Sequence, residues 1–250
     1  MISINSNVAS SLAALNLGST NTQLQRSLQR LSSGYRINNS IDDAGGLAVS
    51  MKLSAAVRRT EATQSNVNNA LSALQTQDGI LKSAEKVVGR MSELIQLATD
   101  ITKSTNDTAL YKTEYESLQE QLVSMVSEQF NGVDLFATGT YATTVSNDTQ
   151  SVVTSQDGTQ TIDINQVDLR AICGMVGTNS SSGDIIADDV FSAVTDAAAA
   201  ITTITSVIQE LANLRATNGA DQSRLTFAAD MLAINKVNLE SANSRIVDVD

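Results

Sequence analysis

Nowhere in its 250 residues does this chain carry a proline, so every backbone position keeps its amide donor and no ring interrupts a helix. Apolar residues use that freedom. Val67, Leu71, Leu74, Leu81, Ala84, Val88, Met91, Ile95 and Ala98 step by threes and fours, with one skipped turn at Asp78-Gly79. That is a heptad-like seam, which needs a second helix to cover it. Tyr111, Tyr115, Leu118, Leu122 and Met125 make a second run, and Val190, Val194, Ala197, Ile201, Ile204, Ile208 and Leu211 a third, followed by Leu225, Ala229, Leu232 and Leu239. Aromatic residues are only 3% of the chain and Trp is absent, so the core is thin and aliphatic. Long helices zipped along a seam suit such a composition better than a compact globule. The expected class is mainly α: an elongated rod of long antiparallel, coiled-coil-like helices with a small β-hairpin insertion.

The same composition excludes several functions. With no His there is no imidazole base, no zinc-binding His pair and no conventional serine or cysteine triad. No glycine-rich phosphate loop is present, so the chain reads as a non-enzyme without a cofactor. A net charge of -11 argues against a general nucleic-acid binder, and no apolar run reaches the length of a membrane span. The lone Cys173 cannot form an internal disulfide and reads as a small packed hydrophobe. Asp42-Asp43 and Asp188-Asp189 both precede helices, where capping explains them better than metal binding. A carboxylate-only calcium site within 133–187 is the one metal alternative left open. The N-terminus lacks the basic and apolar regions of a cleavable signal peptide, so export would need another machine.

Four regions follow. Residues 1–42 hold a helix with a weak apolar stripe (Val8, Leu12, Leu15, Leu24, Leu28, Leu31), marginal without a partner and disordered at its start. Residues 43–136 hold the rod helices, restarting at Ser104-Thr105-Asn106-Asp107 and ending in a turn at Asn131-Gly132. Residues 137–187 are rich in Thr, Ser, Asp, Gly and Val, with an Asp157-Gly158 turn between strand-like runs at 152–153 and 161–164. Residues 188–250 return to helix, with Asn218-Gly219-Ala220 read as a kink or a close helix–helix contact.

Between the first two regions lies a hinge. The helix ends at Ser32-Ser33-Gly34, where Gly accepts a left-handed cap, and Asp42-Asp43 sits where an N-cap and first-turn acid start the next helix. Leu31-Ser32-Ser33-Gly34-Tyr35-Arg36-Ile37-Asn38-Asn39-Ser40-Ile41-Asp42-Asp43-Ala44 closely resembles the signature of bacterial flagellins. Phe130-Asn131-Gly132-Val133, Gly219-Ala220-Asp221-Gln222-Ser223-Arg224-Leu225 and the closing Asn238–Asp250 block resemble further flagellin segments in the right order, with Val247 where arginine is more usual. The resemblance covers about 1–136 and 188–250.

That resemblance implies a secreted subunit, passed through type III export, that polymerises with itself into the flagellar filament for swimming. The nearer alternative is a hook–filament junction protein; a secreted coiled-coil adhesin or tip protein is more distant. It also implies an export chaperone and cap or junction proteins as partners. Ser33, Gly34, Arg36, Asn38, Asp42, Asp43, Arg245 and Asp248 become hinge and subunit-contact residues. Flagellins read by a host innate immune receptor carry an arginine, a leucine and a glutamate on the rod; Arg90, Leu94 and Glu114 occupy similar positions, though Gly89 and Ile95 depart from the usual surroundings. The family continues past the Asp-Val-Asp hinge into a terminal helix, so a partly represented chain is expected.

Overall fold

The computed structural model describes residues 7–136, 150–164, 167, 169 and 197–249. Cys173, the 179–183 loop, Asp188-Asp189 and Asp250 lie outside them, as do the first six residues and most of the 137–187 insertion. Helices dominate: α1 (Val8–Ser33), α2 (Ala44–Ala98), α3 (Thr105–Val126) and α4 (Ala197–Val247). Two antiparallel strand pairs accompany them, β1 (Gln129–Phe130) with β2 (Val133–Asp134) and β3 (Gln150–Val153) with β4 (Thr161–Ile164). The mainly helical class with small strand pairs is therefore the observed one. Residues divide into two units, 63–231 and a second made of 1–62 with 232–250.

In the 63–231 unit, Leu74, Gln77, Leu81, Ala84, Val88, Met91, Ile95 and Ala98 are all buried. Their steps alternate between three and four without a gap. The turn that looked skipped at Asp78-Gly79 is filled by Gln77, because amide as well as apolar side chains can occupy a seam when their hydrogen bonds are met. Asn218 of α4 donates through Nδ2 to the Leu74 carbonyl at 3.2 Å and to Gln77 Oε1 at 3.1 Å. Gln222 donates to Asn218 Oδ1 at 2.9 Å, and Gln77 Nε2 to the Leu135 carbonyl at 2.7 Å. A buried amide chain thus fixes the register of α2 against α4 and ties both to Leu135, just after β2. Asn218-Gly219 is a close helix–helix contact through the Asn, not a kink, for α4 runs unbroken to Val247.

Val190 and Val194 lie outside the described residues. The buried apolar positions in the first half of α4 are Ala200, Ile204, Val207 and Leu211, and further along it are Leu225, Ala228 (where Ala229 was expected) and Leu232. This shifts the expected stripe by one residue at Ile201 and Ile208, the latter 39% exposed; apolar residues on both sides of the seam left its centre ambiguous. From α3, Tyr115, Leu122 and Val126 enter the same core with Phe136, Val167 and Leu169. Burial pushes the Tyr115 phenol above its ordinary range. Ser104 and Asp107 start α3 with a reciprocal capping box, which holds the Asp107 carboxyl below its usual range through the Ser104 hydroxyl and amide. Asn131 and Gly132 both have positive φ, 52° and 78°, the backbone that a two-residue hairpin with Phe130 opposite Val133 requires. Around Asp157-Gly158 the loop is longer, closing at Thr154 N–H to the Gln160 carbonyl.

In the other unit, α1 runs from an Asn7 cap to Gly34 and has no buried residue. Ala56 and Thr60 in the early part of α2 and Leu232 in the late part of α4 are buried. The two stretches meet where Lys236 reaches Glu61 at 2.7 Å and Asn243 Nδ2 donates to Ser54 Oγ at 3.4 Å.

Candidate functional site

Gly34 ends α1 with φ 73°, its N–H bonded to the Arg30 carbonyl; a side chain there would be strained in the left-handed region. The chain then turns beside the end of α4. Arg36 N–H donates to the Val247 carbonyl at 2.6 Å and Val249 N–H to the Gly34 carbonyl at 3.1 Å, which makes Tyr35 and Asp248 an antiparallel bridge. Arg36 adds its guanidinium, with Nη2 2.6 Å and Nε 3.2 Å from the Ile246 carbonyl. A cation thus covers a carbonyl left orphaned in the last turn of α4. Asp248 closes the helix end by accepting from Ser244 Oγ at 2.6 Å.

Ser33 Oγ accepts from Tyr35 N–H at 3.2 Å and from Asn38 Nδ2 at 3.0 Å. Asp42, with only 6% of its side chain exposed, accepts from the backbone N–H of Asn38 and Asn39 at 3.3 and 3.2 Å. It also faces Arg26 and Arg30 at 3.6 and 3.7 Å. The N-cap of α2 is Asp43, which accepts from Gly46 N–H at 2.8 Å. The acidic pair therefore divides its work: the second residue caps the next helix while the first turns back onto α1. Gly46 is needed there, since an added Cβ would come within 2.8 Å of Ile37 Cδ1, and Ile37 is the buried apolar residue of the turn.

The hinge thus gathers Ser33, Gly34, Arg36, Asn38, Asp42, Asp43 and Asp248. Arg245 is exposed on the last turn of α4, where a cation suits the helix dipole. Sequence reasoning missed Arg26, Arg30, Ile37 and Gly46. One signal was available: Arg26 and Arg30, one turn apart, are the only charged residues of α1 and call for an acid on that face.

On the 63–231 unit, Arg90 pairs with Glu114 and Glu93, each at 2.9 Å, which holds its guanidinium more firmly protonated. Arg90 and Glu114 share one exposed spot, but Leu94 is fully buried in the core. The expected three-residue surface therefore loses its leucine, which the seam claims. Among the described residues, no group of three or more Cys, Asp or Glu could hold a metal ion, and no helix is long and apolar enough to cross a membrane.

Known proteins resemble this chain over most of its length. The bacterial flagellin N-terminal helical region matches residues 4–142, and the C-terminal helical region matches 201–250. The chain belongs to the flagellin family. It is 34% identical to a flagellar filament 30.7 kDa core protein of Treponema maltophilum over 251 residues, covering 99% of this chain and 86% of that one. Against a flagellin of Bacillus subtilis the identity is 31% over 273 residues, with 99% and 87% covered. The crystal structure of a Bacillus cereus flagellin superposes with a TM-score of 0.53 at 25% identity, covering 67% of this chain and 88% of that one. A putative flagellar hook-associated protein from Vibrio parahaemolyticus gives 0.63 at 16% identity, covering 83% and 98%; that likeness is one of fold alone. This flagellin is a structural subunit of the bacterial flagellar filament, formed by self-polymerisation.

Proposed function

We propose that this flagellin is secreted as a subunit whose N-terminal helix waits for its packing partner until it reaches the growing filament. The observation that carries the reading is α1, a 26-residue helix with no buried residue. Leu12, Leu15, Leu24, Leu28 and Leu31 are each more than half exposed. An isolated helix of that kind is marginal in water, so its ordering entropy is offset only where neighbouring subunits cover the stripe. The hinge at Ser33, Gly34, Arg36, Asn38, Asp42 and Asp43, with Arg245 and Asp248 on the other strand, sets the angle at which α1 leaves the paired helices. Regions 1–42, 43–136, 137–187 and 188–250 then serve as axial arm, rod, variable outward insertion and returning rod. A chaperone covering exposed apolar helix during export, and cap or junction proteins at the tip, fit the same need. The chain acts by assembly and not by catalysis, as its lack of any His suggests.

The test compares the full native polypeptide with a Leu24→Asn, Leu28→Asn double variant under polymerising salt. Sedimentation and negative-stain microscopy should show filaments from the first and monomers from the second, with the same melting temperature for both monomers. Normal filaments from the variant would overturn the reading. For an immune receptor, the surface offered is the Arg90–Glu114 pair without Leu94. Arg90→Ala should lower receptor signalling by the native subunit, and unchanged signalling removes this epitope.

A further inference from the structure

A filament that grows without closing needs two different patches on each subunit, each fitted to the other on the next copy. Among the described residues within 63–231 a candidate for each can be named. The first is a knob. Phe227 and Met231 stand one turn apart on α4, 70% and 56% exposed, while Leu225 and Ala228 beside them face inward. An aromatic ring left that open on a helix has lost the burial that makes it valuable, and Phe and Met are among the residues that anchor interfaces. The second is a cavity of about 230 Å³. Ala70 and Ala73 of α2 form its floor, with Phe130 and Val133 of the β1–β2 hairpin and Val152 and Ile164 of the β3–β4 hairpin around it. Two alanines in the floor leave room where larger side chains would close it.

We propose that Phe227 and Met231 of one subunit insert into this cavity on a second copy of the chain. Three features favour a second copy over another occupant. The protein polymerises with itself, so a second copy is always present at high local concentration. Most of the surface lining the cavity is apolar, with Asn69, Gln77, Asn131 and Gln150 among it, and an aromatic ring is the kind of anchor that dominates interface energetics when desolvated. Asp134 is the one acid lining the cavity, and Arg224 beside the knob, which pairs with Asp221 at 3.1 Å and is still half exposed, can also face it in a docked pair. The buried amide chain through Gln77 to the Leu135 carbonyl holds the hairpin wall in place, so the cavity is preorganised.

The proposal rests on polymerisation, and the experiment separates the two. The full native polypeptide carrying Cys173→Ser is polymerised, alongside the same protein with Phe227→Ala and with Ala73→Phe. The control should form filaments; its failure to do so would sink the filament reading itself. Phe227→Ala, which empties the knob, and Ala73→Phe, which fills the cavity, should each raise the critical concentration at least tenfold, with monomer melting unchanged for Phe227→Ala. An unchanged critical concentration in both would overturn the contact. In a third protein, Cys173→Ser with Phe227→Cys and Val133→Cys, mild oxidation should link different chains, and only in filaments. A link within one chain would instead show the cavity closed by its own subunit, and the proposal would fall.

Discussion

Between residues 8 and 33 the chain places six leucines on a helix and buries none of them, whereas between 74 and 98 Leu74, Leu81, Leu94 and Ile95 are almost wholly enclosed. Both stretches alternate apolar and polar residues at helical spacing, and both lack proline. The difference lies in what the rest of the chain supplies. The α2 seam meets α3 and α4, so its stripe is covered inside one subunit. The α1 stripe has no buried residue. An amphipathic period therefore says that a face will be covered, but not by which molecule, and in a filament protein that distinction separates folding from assembly.

Substitutions test the contrast. The largest effect is expected at Leu81, fully buried: Leu81→Ala should cost about 2–5 kcal/mol of monomer stability, read by urea unfolding. Leu24→Ala, at 57% exposure, should stay within about 0.5 kcal/mol. Equal losses at the two sites would show that α1 is covered within the monomer. Next comes the amide chain. Asn218→Ala leaves the Gln77 amide oxygen without its donor and should cost about 1–3 kcal/mol, with faster amide exchange around Leu135 if the hairpin is tied to the seam as described. Unchanged exchange there would uncouple the two.

A third test uses pH. Because burial raises the Tyr115 phenol, the unfolded chain loses that proton first, near pH 10, while the folded chain keeps it. Stability from this group is thus complete below about pH 10 and falls above it, by up to about 1.4 kcal/mol for each further unit. Tyr115→Phe should flatten that decline in a series of alkaline melts. The smallest effects concern the caps. Ser104→Ala should cost about 1 kcal/mol because α3 is part of the core. Asn7→Ala should leave global unfolding where it was and show only as faster exchange in the first turn of α1.

Much of this architecture was legible because helices announce themselves by period. Without proline, the periods ran far enough to place α2, α3 and α4, and Ser104 and Asp107 marked a restart by chemistry that acts within four residues. The hinge was legible through Gly34 and the acidic pair, since a left-handed cap and an N-cap are also local. What escaped depended on partners distant in sequence. Gln77 looked like a gap in the seam because its partner, Asn218, lies on another helix. Leu94 was placed on the surface by its resemblance to receptor-read flagellins, and the period alone set the seam at Met91 and Ile95 on either side of it. Asp42 looked like a plain cap because Arg26 and Arg30 come before the turn that brings them back to it.

The backbone pairing at the hinge has a mechanical side. Arg36 N–H to Val247 and Val249 N–H to Gly34 use main-chain atoms on both strands, so side-chain replacement does not delete them. A tug delivered through α1 arrives at these two bonds and at the Arg36 fork on Ile246 before it can peel Ala44 and its successors from their partners. The clasp is thus a strain relief, of the kind fitted where a cable enters a plug: torque on the arm is taken up over a few residues.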